Sequence, residues 1–305
     1  MMIEPLLLLA ALAGGASAAE PAPLAADASL VRPYSYERQR REPFRAPFYA
    51  YFRRGAKELY FVAAAHGTDP GSPTFRLIRA ISKKHPPDAS VIEGVRADLG
   101  VSPASLTEGY RKTSGARSYK WGEAALTALL AADRGKDYLG SEPSDAELLK
   151  GLKDEGRGVD DLLGFYFLRQ IPWMRRDGSL KSRKTRELFD EFMRGYPESL
   201  GLKPEERPTY DRFLSWYRRT AGKDFDPAAM EGEALAPLEN GDAIQKLSAA
   251  VDLVRNRFMV DVIARTLRSH DRVLVVFGAS HLTSQREAIE AMLGRPVEQS
   301  DKLEN

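Results

Sequence analysis

Four histidines occur in the chain, and two of them directly follow apolar runs that read as buried strands: His66 after LYFVAAA and His281 after RVLVVFGAS. Two glutamates stand in the same relation to shorter runs, Glu93 after ASVI and Glu142 after DYLGS. In an open α/β sheet the reactive groups collect just past the carboxyl ends of strands, where loops converge while the sheet fixes their roots. Two imidazoles with two carboxylates have two uses. They can hold a divalent ion with one position open to water, which makes a hydrolytic nucleophile at neutral pH. Alternatively, one imidazole oriented by a carboxylate acts as general base on water with no metal. Mixed nitrogen and oxygen ligands suit Zn, Mn, Co or Fe without choosing among them. The other two histidines, His85 and His270, end predicted helices, where an imidazole interacting with terminal carbonyls is explanation enough. Glu123, in the first turn of a predicted helix, reads as a partner of that helix dipole.

Composition removes several competing chemistries. Among 305 residues there is no cysteine, which excludes disulfides, a thiolate nucleophile, Cys-ligated zinc and iron–sulfur clusters. With 45 Lys+Arg against 43 Asp+Glu, there is no concentrated basic field of the kind a nucleic-acid partner requires. The segment Gly278-Ala279-Ser280-His281 follows a strand, but Leu282 stands where a nucleophile elbow needs glycine, and no later histidine completes a serine triad. The chain carries no HExxH, Walker A, GxGxxG or EF-hand pattern.

The first residues read as an address. Pro5 to Ala13 (PLLLLAALA) form a short apolar stretch, followed by Ala16-Ser17-Ala18, a small-residue cleavage pattern. Residues 1–18 are therefore expected to be a signal peptide, and the mature protein periplasmic or secreted. No apolar run approaches the roughly 20 residues needed to span a bilayer, and no cysteine is present to carry a lipid.

Residues 19–47, rich in Pro, Ala and Arg, read as an extended arm, and 48–298 as one domain. Phe48–Arg53 and Glu58–Ala65 suggest a hairpin around Gly55. Ser72–His85 has helical spacing, Ala89–Ile92 reads as a strand, a loop runs to Ser118, Trp121–Ala132 is a helix and Asp137–Gly140 a strand. About 146–235 reads as a large helical insertion, aromatic and basic, with helices at Asp145–Glu155, Val159–Arg175, Ser182–Arg194 and Thr209–Ala221. A long helix over 241–270 leads into the strand Arg272–Phe277, and a last helix covers Thr283–Leu293. The alternation predicts an α/β fold with a mixed, mostly parallel sheet built from two strand-helix halves.

Together, AAAHGT (63–68), SVIEG (90–94), Arg255-Asn256 with Met259 on one helix, and Gly278-Ala279-Ser280-His281-Leu282 resemble the TraB/GumN/TIKI family. More distantly they are similar to the erythromycin-esterase and ChaN haem-uptake superfamily. The family hallmark is a pair of G-x-x-H motifs. The second is intact at 278–281, whereas the first has Ala63 in place of glycine. The resemblance implies a site of His66, Glu93, Arg255 and His281, with Glu142 as a further metal ligand beside His66, Glu93 and His281. It also implies hydrolysis of an amide or ester in a peptide or small molecule, with a Mn, Co or Zn ion or with a histidine base alone. The alternative it carries is a non-catalytic binder of haem or metal, with the aromatic, basic insertion cradling the ring. Arg255, beside the Val251/Val254/Phe258 stripe, is placed to orient a carboxylate or stabilise an oxyanion. The leader is directly testable: the intact mass of protein recovered from an exporting host should correspond to a chain starting at Ala19 or Glu20, and a retained Met1 would refute export.

Overall fold

The computed structural model describes residues 24–42, 45–99, 104–115 and 117–302; the predicted leader lies outside them. After a short helix α1 (Tyr36–Arg41), strands β1 (Phe48–Arg54) and β2 (Lys57–Ala64) pair antiparallel, with Phe48 opposite Ala63. Next come α2 (Pro73–Lys84), β3 (Ala89–Arg96), α3 (Ala104–Thr113), α4 (Gly122–Ala132) and β4 (Asp137–Glu142). The insertion contains α5 (Asp145–Asp154), α6 (Val159–Arg176), α7 (Ser179–Ser182), α8 (Thr185–Gly195) and α9 (Tyr210–Ala221). The chain then returns through α10 (Ala243–Ser269), β5 (Arg272–Gly278), α11 (Ala279–Leu293) and β6 (Glu298–Ser300).

The sheet order is β4-β3-β5-β2-β1-β6, with β4, β3, β5 and β2 mutually parallel and β1 antiparallel to both its neighbours. This is the mixed, mostly parallel α/β sheet that the alternation predicts. Strand periodicity sends side chains to two faces. Phe48, Phe52, Phe61, Val275 and Phe277 meet Met259, Ile263 and Leu267 of α10 and Leu282 and Ile289 of α11. On the other face Tyr60, Val62 and Val276 meet Phe75, Ile78 and Ile81 of α2 and Leu126 of α4. With both faces covered, the central strand must be apolar throughout, hence RVLVVF.

Four elements differ from the sequence expectation. The loop expected up to Ser118 contains α3, whose single buried residue, Tyr110, packs with Ile92, Ala125 and Tyr138; one anchoring side chain leaves little periodic signal. The last helix begins at Ala279, so His281 sits in its first turn. The N-terminal arm, which lies on the domain with Val31 buried against Leu253, Val260 and Ala288, carries the helix α1 where extended chain is expected. The three-residue β6 carries no apolar pattern.

The insertion forms a second core in which Phe167, Phe189, Phe213 and Trp216 interlock with Ile244, Leu247, Val251 and Val254 from the first half of α10. Three of its arginines form ion pairs at the surface, Arg175 with Glu231, Arg183 with Glu191 and Arg186 with Asp211. The 27-residue α10, about 40 Å long at 1.5 Å per residue, thus joins two cores.

A bulge interrupts the β3–β4 ladder. Ile92 pairs with Gly140 and Arg96 with Glu142, so Glu93, Gly94 and Val95 stand opposite Ser141 alone. Bulges bend a strand and re-aim a side chain, and Gly94 takes the positive φ of 79° that this one needs. The Ser141 hydroxyl donates to the Ile92 carbonyl at 2.9 Å. A Cβ on Gly140 would lie 2.3 Å from the Val95 carbonyl oxygen and 2.6 Å from that of Arg96, both backbone atoms. Gly140→Ala should therefore lower stability by about 1–3 kcal/mol, the usual cost of overpacking; a denaturation midpoint equal to wild type would show that the two strands separate freely there.

Candidate active site

Because β4, β3, β5 and β2 are parallel neighbours, their carboxyl ends share one edge of the sheet, and the order along it is Glu142, Glu93, His281, His66. Glu93 is the meeting point. One carboxylate oxygen, Oε1, lies 3.1 Å from His281 Nε2 and 3.7 Å from a guanidinium nitrogen of Arg255. The other, Oε2, accepts from the Gly278 backbone N–H at 2.6 Å and lies 3.9 Å from His66 Nε2. Both imidazoles predicted from the sequence thus face a single carboxylate.

Gly278 is required there by space. A Cβ at this position would stand 2.5 Å from His66 Nε2 and 3.4 Å from Glu93 Oε2. Its φ of −54° is open to any residue, so the glycine serves the approach of the imidazole and not the turn.

Arg255 and Glu142 form a fork, Nε to Oε2 at 2.8 Å and Nη2 to Oε1 at 2.7 Å, the bidentate geometry that gives charge-assisted pairs their strength. Glu142 also accepts from the Gly94 N–H at 3.2 Å, tying it to the bulge. Burial pushes the Glu142 carboxyl up, but the Arg255 charge outweighs it and holds the group below the usual range. Burial likewise opposes ionisation of Glu93, and His281, Arg255 and His66 overcome it, so that it too stays ionised.

The two histidines have opposite settings. His281 is buried, and its Nδ1 lies 2.8 Å from Asn256 Oδ1. The orientation of that amide is fixed from the other side, since Asn256 Nδ2 donates to the carbonyl and the carboxylate of Asp252 at 2.8 and 2.9 Å, and Gln285 donates to Oδ1 at 2.8 Å. Both ring nitrogens of His281 therefore face acceptors. Burial lowers its pKa, yet the adjacent Glu93 prevails and raises it, and a ring with acceptors at both nitrogens is fully satisfied only in its doubly protonated form. His66, whose side chain is 63% exposed, donates from Nδ1 to the nearly buried Glu123. That bond raises its pKa against the opposing effect of burial and turns Nε2 toward Glu93.

Glu123 is the site residue that the sequence understates. It does lie in the first turn of α4, but its carboxylate orients His66. The Tyr119 N–H donates to Thr68 O at 2.8 Å, and a Cβ on Gly122, at φ +60°, would lie 2.9 Å from Gly67 O. These backbone contacts dock the start of α4 on the His66 loop, and contacts of that kind leave no sequence signal. Asn256 and Gln285 hold His281 in the same supporting way.

A divalent ion does not fit this arrangement. Among the described residues no three His, Asp or Glu side chains are grouped to hold one. Glu142 has both oxygens on Arg255, and the positive charge beside Glu93 is already supplied by Arg255 and His281. Haem finds no cradle in the insertion, because Phe165, Phe167, Phe213, Trp216 and Tyr217 are consumed in its core. Comparison with family models, curated proteins and solved structures gives no match to this chain, so the TraB/GumN/TIKI resemblance rests on the residues quoted for it.

Titration of the His66 ring by NMR should give a pKa above the ordinary 6.5. Hydrogen bonding to a carboxylate favours the charged ring, so Glu123→Gln should move the midpoint back down toward that value; an unmoved midpoint would remove Glu123 from its orienting role.

Proposed function

We propose that the chain is a hydrolase of carboxylic esters or amides in which His66 is the general base and no metal ion takes part. On the leader reading above it works in the periplasm or outside the cell. The observation that supports this most directly is the pairing of His66 Nδ1 with Glu123 while Nε2 faces the Glu93 carboxylate across 3.9 Å. A base needs one nitrogen held and the other free toward the reacting water.

In this mechanism Nε2 of neutral His66 takes a proton from water as the oxygen attacks the scissile carbonyl carbon. Negative charge then moves onto the carbonyl oxygen. Arg255 and the His281 imidazolium are fixed cations in place before the reaction, and such preorganised charge stabilises a developing oxyanion with little reorganisation. The N-terminus of α11 adds to it, since no side chain caps that helix and its first N–H groups carry the positive end of the dipole. Collapse of the tetrahedral intermediate breaks the bond to the leaving nitrogen or oxygen, which receives the proton from His66. Glu93 keeps Arg255 and His281 charged and in place, and Glu142 orients Arg255.

The test is hydrolysis of a panel of chromogenic esters and anilides by untagged protein, with and without EDTA. Turnover should survive the chelator, and His66→Ala should reduce kcat by about 10²- to 10⁴-fold, the usual worth of a general base. Gly278→Ala, whose methyl group falls on Nε2, should approach the same loss with thermal stability near wild type. Activity abolished by EDTA and restored by Mn, Co or Zn would replace the metal-free mechanism with a metal-dependent one.

A further inference from the structure

Beside Arg255, a cavity of about 130 Å³ opens between the insertion and α10. Its lining includes Phe165 and Arg169 of α6, Leu235 and Pro237 of the return segment, and Val251 and Asp252 of α10. An apolar cavity of about 150 Å³ takes up benzene, so this space accommodates a chain of a few carbons. Its charged groups are not equally engaged. Asp252 is held by Asn256 and Arg255, and Arg255 by Glu142 and Asp252. Arg169 is exposed at the rim, its guanidinium carbon 5.9 Å from the centroid of the Phe165 ring, and it has no ion pair among the described residues.

We infer that this cavity is a substrate subsite selective for a short aliphatic group ending in a carboxylate, with Arg169 as its anion-recognising residue. Three observations combine in it. The walls formed by Phe165, Leu235, Pro237 and Val251 are apolar, which suits a hydrocarbon stem. The volume limits that stem to a few carbons. Of the two guanidiniums lining the cavity, the one without a carboxylate partner among the described residues stands at the opening, and its planar fork of donors matches a carboxylate. Because Arg255 lines the cavity and also lies 3.7 Å from Glu93, a group seated there is one side chain from the proposed reacting centre. The inference rests on the hydrolase reading for the word substrate, and on the cavity alone for binding.

Binding is therefore measured directly, with butanoate and its uncharged counterpart butanamide as probes, by amide shift perturbation in NMR. Wild-type protein should bind butanoate about tenfold more tightly than butanamide, the scale of one charge-assisted hydrogen bond, with shifts at Ser248 and Val251. Arg169→Gln should remove that preference at an unchanged melting temperature, Arg169→Lys should keep much of it, and octanoate should gain nothing over butanoate. Equal binding of the two probes to wild type, an unchanged preference in Arg169→Gln, or no saturable binding would overturn the subsite. If no ester or anilide is hydrolysed but the butanoate preference behaves as expected, the hydrolase reading fails and the subsite stands.

Discussion

A carboxylate buried at the meeting point of strand ends must be compensated, and the site is organised around how Glu93 is. Removing a carboxylate from water costs several kcal/mol unless hydrogen bonds and opposite charge replace the hydration. Here the replacement comes from the Gly278 N–H, the His281 ring and Arg255. Each partner brings a further constraint. The bond to Gly278 draws strand and carboxylate so close to His66 that a side chain at position 278 would displace the imidazole. The bond to His281 favours the charged form of that ring and, with Asn256 at Nδ1, leaves neither of its nitrogens free. Arg255 is held by Glu142 and so cannot turn away. Once these are set, His66 is the one imidazole of the pair free to exchange a proton.

Helix α10 explains how so many partners reach the same place. Its first half is buried in the insertion core through Leu247 and Val251, its second half against the sheet through Met259 and Ile263. Arg255 and Asn256 lie where one role passes to the other. A residue there is anchored by apolar packing on both sides along the helix, so its rotamer and reach are set by two cores at once. The insertion is thereby registered against the site through the backbone of a single helix, which places the α6 wall, with Phe165 and Arg169, beside Arg255.

Much of this is legible in the sequence, for a definite physical reason. Parallel strands covered on both faces must be continuously apolar, so LYFVAAA and RVLVVF announce themselves, and a polar residue directly after such a run must lie at the sheet end. His66, Glu93, Glu142 and His281 are all found by that rule. What escapes it depends on contacts distant in sequence. Glu123 reaches His66 because a loop carbonyl at Gly67 and the turn at Gly122 pack together, and the turn is coded by one glycine. The bulge that aims Glu93 is an insertion of register that only the partner strand reveals. The start of α11 at Ala279 was hidden because Gly278-Ala279-Ser280 reads as a loop, although the helix needs only an extended glycine before it.

The contrast between the two histidines follows from their access to water more than from their neighbours. Each has a carboxylate hydrogen-bonded to one ring nitrogen, Glu123 for His66 and Glu93 for His281, and in each the charged form is favoured, yet one is buried and the other 63% exposed. For His281 the loss of a proton would take from the largely buried Glu93 its nearest counter-charge, which favours the charged ring. For His66 the same loss is met by solvent, and the bond to Glu123 persists in the neutral ring because Nδ1 keeps its hydrogen. Two residues of the same type, brought to one carboxylate by adjacent strands, therefore differ in their access to a proton from solvent, and on the hydrolase proposal that depth in the fold assigns one as fixed charge and the other as base.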